Sequence, residues 1–288
     1  MPLAAIGQIR STSSPTSNLI QCLHLVTLAF RASASALFLP EASDYIAPNA
    51  TTSLSICQPL ATSPFVQGLR TAARTHSLPI CVGVHTPSPT NPNKVCNTLL
   101  WINASGAIAA QYDKLHLFDV DIAGGPVLKE SASVERGTQL EDPLATPLGK
   151  VGLLICFDLR FPEPSLALRR RGAQILTYPS AFTVPTGRAH WETLLRARAI
   201  ETQSYVIAAA QCGYHDEGKT RRSYGHSMIV DPWGKVVAEL GGVDEEIEEG
   251  SGLNEGEIAL AEIDLEVVER VRREVPLMRR TDVYADVV

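Results

Sequence analysis

The hydrophobic pattern of this chain alternates between short apolar runs and longer amphipathic stretches. Short apolar runs bounded by turn-forming residues predict strands, and apolar residues that recur with helical spacing predict helices. Strands are predicted over residues 3–9, 36–39, 80–84, 97–102, 108–112, 151–156, 175–178, 205–211, 226–230, 236–240 and 258–263. Helices are predicted over residues 18–32, 65–76, 164–171, 190–201 and 264–274.

The order of these elements indicates an α/β fold. Strands that are apolar throughout and alternate with helices favour sheets covered by helices, and the later strand–turn–strand runs favour mixed over purely parallel sheets. The chain contains no evident linker or repeat, so we expect residues 1–288 to form a single domain. The proline-rich stretch 86–93 and the acidic stretch 241–256 are expected to be loops.

Composition limits the classes of binding partner and the cellular compartments that we expect for this protein. Apolar residues make up 45% of the chain, which is enough for a sizeable core, and the net charge of −6 argues against nucleic acid as the main partner. Residues 19–30 are too short and too polar to span a bilayer, and the N-terminus lacks the pattern of a secretory signal. We therefore expect a cytoplasmic protein without membrane contact, while a mitochondrial form made from another start site stays open.

The six cysteines do not resemble a metal or disulfide framework. None stands in a C-x-x-C pair, and no His/Cys group has zinc spacing, so no metal site is expected. Five of them are expected to be small buried apolar side chains. Cys156 differs because it ends an apolar run and is followed by a polar turn and a Pro-Glu helix start. This layout is typical of a nucleophile at a strand-to-helix corner.

Three predicted strands end in side chains with complementary chemistry: Glu41, Lys114 and Cys156. In α/β folds, strand ends at one edge of a sheet gather functional groups. A thiol needs a base to become a nucleophile, which makes Glu41 the candidate general base. The oxyanion of acyl transfer needs a cation and backbone N–H groups, which makes Lys114 and the N–H of Phe157 candidates. Each residue alone also fits a structural role, so the hypothesis of a thioester-forming hydrolase depends on the combination.

The motifs around these residues resemble the nitrilase (carbon–nitrogen hydrolase) superfamily over nearly the whole chain. LPEA, YDKLH and ICFDLR match its Glu-Lys-Cys triad, and KES places its second, supporting glutamate at Glu130. The resemblance implies an α-β-β-α four-layer sandwich with mixed sheets and an amide hydrolase without metal or organic cofactor. It also implies a homodimer with the helix 190–201 at its interface. Phe157 stands where tyrosine is common in relatives, a change that a backbone role should tolerate.

Segments 178–182, 190–201 and 209–213 look like the deaminated glutathione amidase branch of that family. The branch hydrolyses deaminated glutathione to 2-oxoglutarate and cysteinylglycine, a metabolite repair reaction. An ω-amidase acting on 2-oxoglutaramate or 2-oxosuccinamate is the alternative of the same class. Acyl transfer to an amine and a catalytically silent interaction protein are further alternatives, and the intact triad argues against the last.

A 2-oxo acid substrate requires a group that binds its carboxylate. Arg160, four residues after Cys156, is the candidate for bidentate binding, with an ion pair to Glu163 as the alternative. Tyr45 and Thr183 are expected to contribute to the substrate pocket. Structural or supporting roles are expected for His116, His190 and His226.

Overall fold

The computed structural model describes residues 1–121, 127–243 and 255–285. Within these ranges, helices α1 to α6 span Pro15–Arg31, Ala50–Ile56, Pro64–His76, Pro162–Arg170, Val184–Thr202 and Leu265–Glu274. Strands β1 to β17 span Leu3–Gln8, Ala36–Phe38, Ile80–Pro87, Val95–Ile102, Ile108–Asp113, Asp119–Asp121, Val127–Lys129, Val134–Glu135, Leu144–Thr146, Gly149–Gly152, Ile175–Thr177, Tyr205–Ala208, Cys212–Tyr214, Arg222–Tyr224, Met228–Val230, Val236–Glu239 and Glu257–Glu262. Short 3₁₀ helices span Glu130–Ala132 and Cys156–Arg160.

Two mixed sheets form the centre of the fold. The first has the strand order β17-β1-β2-β3-β4-β5, with β8 beside β4, and the β1–β2 and β2–β3 pairs are parallel. The second has the order β16-β15-β12-β11-β10-β9, and the β10–β11 and β11–β12 pairs are parallel. The other neighbours along the two orders are antiparallel. The predicted mixed sheets are therefore confirmed.

The alternation of side chains along β1 separates two layers of core. Ala4 and Ile6 belong to a cluster that also contains Val151 and Val206 of the second sheet, so this cluster lies between the sheets. Ala5, on the opposite face, belongs to a second cluster shared with α1 and α3. Helices α4 and α5 pack against β10 and β12 of the second sheet. These contacts give the helix–sheet–sheet–helix order that was predicted.

Helix α5 is longer than predicted and less solvated. It begins at Val184 instead of residue 190, because Pro185 fits the first turn of a helix. Its composition alone suggests an exposed charged helix, yet Arg198 is only 3% exposed. The Arg198 guanidinium donates to the carbonyl of Leu159 at 2.6 Å and pairs with Glu201. The face of α5 that packs against the second sheet and the turn after Cys156 therefore includes a buried charged side chain.

Several predicted boundaries differ from the observed ones. Strand β10 ends at Gly152 and β12 at Ala208, and β3 extends to Pro87, so the predicted loop 86–93 begins inside a strand. Helix α2 was not predicted, because its serine and threonine residues have low helix propensity. Its N-cap Asn49 accepts the N–H of Thr52 at 2.9 Å, which stabilises its first turn. Residues 244–254 of the predicted acidic loop lie outside the described residues.

The two sheets meet beyond the ends of β1 and β12. Ile9 forms a parallel bridge with Gln211, and Ser180 forms another with Ala210. The Gln211 side chain accepts the N–H of Ser11 at 2.9 Å and donates to the carbonyl of Glu41 at 3.0 Å. These contacts hold the chain segments that follow both sheets against each other, and the pocket described next opens at this junction.

Candidate active site

A pocket of about 760 Å³ is lined by residues that follow strands of both sheets. Glu41 comes from the turn after β2, Lys114 directly follows β5, and Cys156 comes from the segment after β10. All three are buried, with 5%, 2% and 7% of their surface exposed. Together with Asn97 and Glu130 they form what we call the buried cluster.

Lys114 lies at the centre of the buried cluster. Its ammonium donates to Glu41 Oε1 at 2.8 Å and to Glu130 Oε2 and Oε1 at 3.0 and 3.2 Å. Burial alone would lower the pKa of Lys114, but the carboxylates of Glu130 and Glu41 outweigh burial and raise that pKa well above its usual range. Lys114 is therefore a permanent positive charge in this pocket.

Glu41 connects the lysine to the candidate nucleophile. Its Oε1 also accepts from Asn97 Nδ2 at 2.7 Å, and its Oε2 accepts the N–H of Ala181 at 2.9 Å. The carboxylate also interacts with the thiol of Cys156, which contributes to lowering the pKa of Glu41. Burial would raise the pKa of Glu41, and the lysine, the thiol and the amide together lower it. Glu41 is thus a charged acceptor within reach of the thiol proton.

Cys156 opens a turn and does not end a strand, so the predicted strand end at this residue is wrong. Its φ of 45° lies in the left-handed region, which is uncommon for a residue with a side chain. A bond from its N–H to the carbonyl of Pro179, at 3.0 Å, holds it there. Burial and then the charge of Glu41 raise the pKa of the Cys156 thiol, and Lys114 only partly opposes them. The resting thiol is therefore neutral.

The turn after Cys156 presents a backbone donor. N–H groups in the first turn of a helix have no acceptor within the helix. In the segment Cys156–Arg160, the N–H of Asp158 donates to the carbonyl of Ile155 at 2.9 Å. The N–H of Phe157 has no acceptor among the described residues. This N–H is thus available to a substrate oxygen, as the sequence-based hypothesis requires.

Asp158 connects this turn to the segment around Lys114 through hydrogen bonds, a role that we did not predict. It is completely buried. Its Oδ1 accepts from the N–H and Nδ1 of His116 at 3.0 and 2.7 Å. Its Oδ2 accepts from the hydroxyl of Tyr112 and the N–H of Ile155 at 2.7 and 3.0 Å. Because Tyr112 and His116 flank Lys114, Asp158 positions the lysine relative to the thiol, and the predicted supporting role of His116 has a physical basis.

Asn97 and Glu130 complete the buried cluster. Glu130, expected from its motif, contacts Lys114, and its Oε2 accepts the N–H of Phe118 at 2.6 Å. Asn97 was not predicted. Its Nδ2 donates to Glu41 Oε1 and, at 3.1 Å, to Glu130 Oε1, so it holds both carboxylates. The signal that could have identified it is a buried polar residue in the middle of the apolar strand β4.

Comparison with known proteins identifies the family of this site. Residues 3–273 match the carbon-nitrogen hydrolase family. The chain belongs to this family. Its relatives include a probable hydrolase, nit2, of Schizosaccharomyces pombe, 47% identical over 99% of both chains, and the deaminated glutathione amidase of Homo sapiens, 46% identical over 99% of this chain and 84% of that protein. The crystal structure of the C. elegans NitFhit protein matches with a TM-score of 0.88 and 42% identity, over 99% of this chain and 66% of that one. The predicted superfamily and hydrolase class are confirmed.

Arg160 lies in the wall of the hydrolase pocket between two aromatic rings. Its guanidinium carbon is 5.6 Å from the ring centroid of Phe157 and 5.7 Å from that of Phe182. Its Nη2 lies 3.2 Å from Nδ1 of His190. It forms no ion pair with a carboxylate in the described part of the chain, so the alternative partner Glu163 is not used. Arg160 can therefore accept an anionic ligand.

Tyr45 and Thr183 also line the pocket, but their hydroxyls have protein partners. The Tyr45 hydroxyl lies 3.1 Å from both the carbonyl oxygen and Oγ of Ser53, and its ring stacks on His85 with centroids 4.3 Å apart. Oγ1 of Thr183 lies 2.8 Å from Oγ1 of Thr186. Tyr45 therefore offers the pocket an apolar ring more than a hydrogen bond.

The described residues offer neither a side-chain group for a metal ion nor a helix that could span a membrane. Within the described ranges, no group of three or more His, Cys, Asp or Glu side chains is placed to hold a metal ion. No described helix is long and apolar enough to cross a membrane.

His226, expected to be structural, contacts Glu239 Oε1 through Nδ1 at 3.0 Å. The buried cluster thus combines a thiol, a carboxylate base and a cation, the groups that thioester chemistry requires.

Proposed function

We propose that this hydrolase cleaves the amide bond of deaminated glutathione and releases 2-oxoglutarate and cysteinylglycine. The observation that carries the proposal is the 46% identity to the deaminated glutathione amidase of Homo sapiens over 99% of the chain. The pocket supports it with a neutral thiol beside a charged carboxylate and a cation, and with an arginine that has no carboxylate partner in the described ranges.

In the first half of the proposed reaction, the sulfur of Cys156 attacks the amide carbonyl carbon while its proton passes to Glu41. The ammonium of Lys114 and the N–H of Phe157 stabilise the negative charge on the carbonyl oxygen. One such donor typically lowers a barrier by about 3 kcal/mol. Glu41 then gives the proton to the departing nitrogen, the amide bond breaks, and cysteinylglycine leaves a thioester on Cys156.

In the second half, a water molecule attacks the thioester carbonyl while Glu41 takes its proton. The carbon–sulfur bond breaks, the sulfur receives the proton from Glu41, and 2-oxoglutarate leaves. The cycle consumes one water for each amide bond and returns every protein group to its starting protonation state.

The pKa directions constrain how the proton moves. The raised pKa of the Cys156 thiol and the lowered pKa of Glu41 both oppose proton transfer before the substrate arrives. We therefore expect transfer and carbon–sulfur bond formation to occur together. Glu130 and Asn97 are positioning residues in this scheme, because they hold Lys114 and Glu41 through hydrogen bonds.

Arg160 is proposed to bind the carboxylate of the 2-oxo acid. A guanidinium presents parallel N–H donors that match a carboxylate, and the rings of Phe157 and Phe182 hold this one without using those donors. Thr183 and the ring of Tyr45 are proposed to shape the same pocket. Their hydroxyls contribute little, because they already have protein partners.

Assembly and location are further parts of the proposal. We infer one functional domain, since the buried cluster takes Glu41 from the first sheet and Cys156 from the second. A homodimer is supported by exposed apolar side chains on one side of the second sheet, Ile200 on α5 at 52% and Trp233 at 65%. The cytoplasmic location, the absence of a nucleic-acid partner and the possible mitochondrial form stay predictions.

The deciding experiment measures kcat/KM of the purified enzyme for deaminated glutathione and for 2-oxoglutaramate, with release of 2-oxoglutarate as the common readout. We expect the higher value for deaminated glutathione. A higher value for 2-oxoglutaramate would identify an ω-amidase, and turnover of neither would favour an interaction protein. Addition of an amine during the assay tests acyl transfer, because a transferase would divert product from 2-oxoglutarate to a new amide.

A further inference from the structure

Besides Arg160, two further arginines line the pocket, Arg221 and Arg222, and Arg222 is the one that lies beside an aromatic ring. It lies on β14, where the next residue, Ser223, bridges to Thr183 in the pocket wall. Across the hairpin β13–β14 it pairs directly with Tyr214. Its guanidinium carbon lies 4.9 Å from the centroid of the Tyr214 ring. The hairpin thus places Arg222 in a defined position beside the pocket.

Among the described residues, no hydrogen-bond acceptor is found for the guanidinium of Arg222. Its Nε is buried and has no partner, and no carboxylate in the described ranges pairs with its guanidinium. The contact with the Tyr214 ring uses none of the N–H donors of the guanidinium, which lie in its plane. Buried polar groups without partners are rare in folded proteins. Because Arg222 lines the pocket and its Nη groups are not buried, these groups are the donors that a ligand in the pocket can reach.

Arg160 and Arg222 share these surroundings. Both lie against aromatic rings, and neither has a carboxylate partner in the part of the chain that is described. The pocket is lined by three arginines, Arg160, Arg221 and Arg222, and two of them, Arg160 and Arg222, lie beside aromatic rings without a carboxylate partner in the described ranges. Deaminated glutathione carries two carboxylates, one on the 2-oxo acid and one on the glycine, on opposite sides of the scissile amide. The smaller amide 2-oxoglutaramate carries only the first.

We propose that Arg222 binds the C-terminal carboxylate of the dipeptide leaving group. This inference rests on the proposed function and deepens it, because it assigns a residue to each end of the substrate. Arg160 binds the acyl side, which both candidate substrates share. Arg222 binds the leaving-group side, which only the peptide-like substrate has, and so sets the preference between the two.

The test compares Arg222→Met and Arg222→Lys with the wild type on three substrates: deaminated glutathione, its C-terminal carboxamide, and 2-oxoglutaramate. Arg222→Met should lower the ratio of kcat/KM for deaminated glutathione to that for 2-oxoglutaramate by about 10- to 100-fold, mainly through KM, since one charge-assisted contact is lost. Arg222→Lys should give an intermediate ratio, because it keeps the charge but loses the fork of donors.

The carboxamide identifies the group that Arg222 recognises. The wild type should prefer the acid to its carboxamide by a factor similar to the effect of Arg222→Met, and the variant should treat the two alike. Arg31→Met, at the exposed end of α1, removes an arginine outside the pocket and should keep the wild-type ratio.

Two results would overturn the role of Arg222 while leaving the proposed function intact. One is an equal loss of kcat/KM for all three substrates in a folded Arg222→Met variant. The other is a wild type that does not distinguish the acid from its carboxamide. A wild type that hydrolyses 2-oxoglutaramate but not deaminated glutathione would instead overturn the proposed function, and the role of Arg222 with it.

Discussion

The cations of the buried cluster and those of the pocket wall differ in whether they are paired with carboxylates. In the cluster, the ammonium of Lys114 contacts two carboxylates, and those carboxylates accept further hydrogen bonds from Asn97 and from backbone N–H groups. In the wall, Arg160 and Arg222 lie against aromatic rings and have no carboxylate partner among the described residues. The charges of the first region are paired within the protein, although Oδ1 of Asn97 is buried there without a partner, and the two guanidinium groups of the second region have no carboxylate partner in the described ranges.

This difference follows from what each region has to do. Groups that stabilise a transition state are most effective when they are fixed before the substrate arrives, because no free energy is then spent on reorganising them. Groups that select a substrate must instead keep donors unused until that substrate binds. In the proposed reaction, the paired charges belong to the reacting centre, and the two arginines without carboxylate partners are assigned to the ends of the substrate.

The largest expected effect comes from removing the nucleophile. Cys156→Ala should lower kcat by about 10⁶-fold, as loss of the nucleophile does in other covalent hydrolases. The thermal unfolding midpoint should change by less than about 3 °C, because only a small buried group is removed. Turnover and circular dichroism on the same sample check both. Retention of wild-type turnover would exclude a thioester on this residue.

The next effect separates the two regions directly. Lys114→Met should lower kcat by about 10³-fold. It should also lower the free energy of unfolding by about 3–5 kcal/mol, since it leaves two buried carboxylates without their cation. Arg160→Met should lower kcat/KM by about 10- to 100-fold with little loss of stability. Urea unfolding of both variants measures the difference, and equal stability losses would contradict the comparison.

The smallest effect concerns pH and the hairpin that carries Arg222. His215 contacts the carbonyl of Ser11 through Nδ1 at 2.8 Å and the hydroxyl of Ser223 through Nε2 at 2.7 Å. Burial, followed by the charge of Arg221, lowers the pKa of His215 from 6.5 to about 3. Between these values the unfolded chain binds a proton that the folded chain does not. The free energy of unfolding should therefore fall as the pH falls, by up to about 1.4 kcal/mol per pH unit.

Replacement of this histidine isolates its share of the pH dependence. His215→Gln should have a flatter dependence of unfolding free energy on pH above 4.5 than the wild type. Glu41 adds little to the slope above pH 4.5. Its pKa is 4.5 in the unfolded chain and lower in the folded chain, so it is mostly charged in both states there. Urea unfolding at several pH values gives the two slopes, and identical slopes would refute the assignment.

Glu41, Lys114 and Cys156 could be chosen as candidates from the sequence because each belongs to a compact local motif near the end of an apolar run, and the structure places all three in one pocket. Asn97, Asp158 and Arg222 could not be predicted in the same way. Their roles depend on contacts with residues far away in the chain, such as Asn97 with Glu41 and Asp158 with Tyr112. The turn at Cys156 belongs with them, because the carbonyl of Pro179 helps to hold its left-handed backbone.

By itself, the sequence determined the alternation of strands and helices, the mixed sheets and the chemical types that follow three apolar runs, because periodicity and residue chemistry are local properties. Only the tertiary structure decided which of these groups meet, which charges are neutralised and which stay available. The protonation state of a group, and whether a cation has a carboxylate partner, depend on burial and on neighbours that come from both sheets. That is why Lys114 and Arg222, both cations in one pocket, have opposite surroundings.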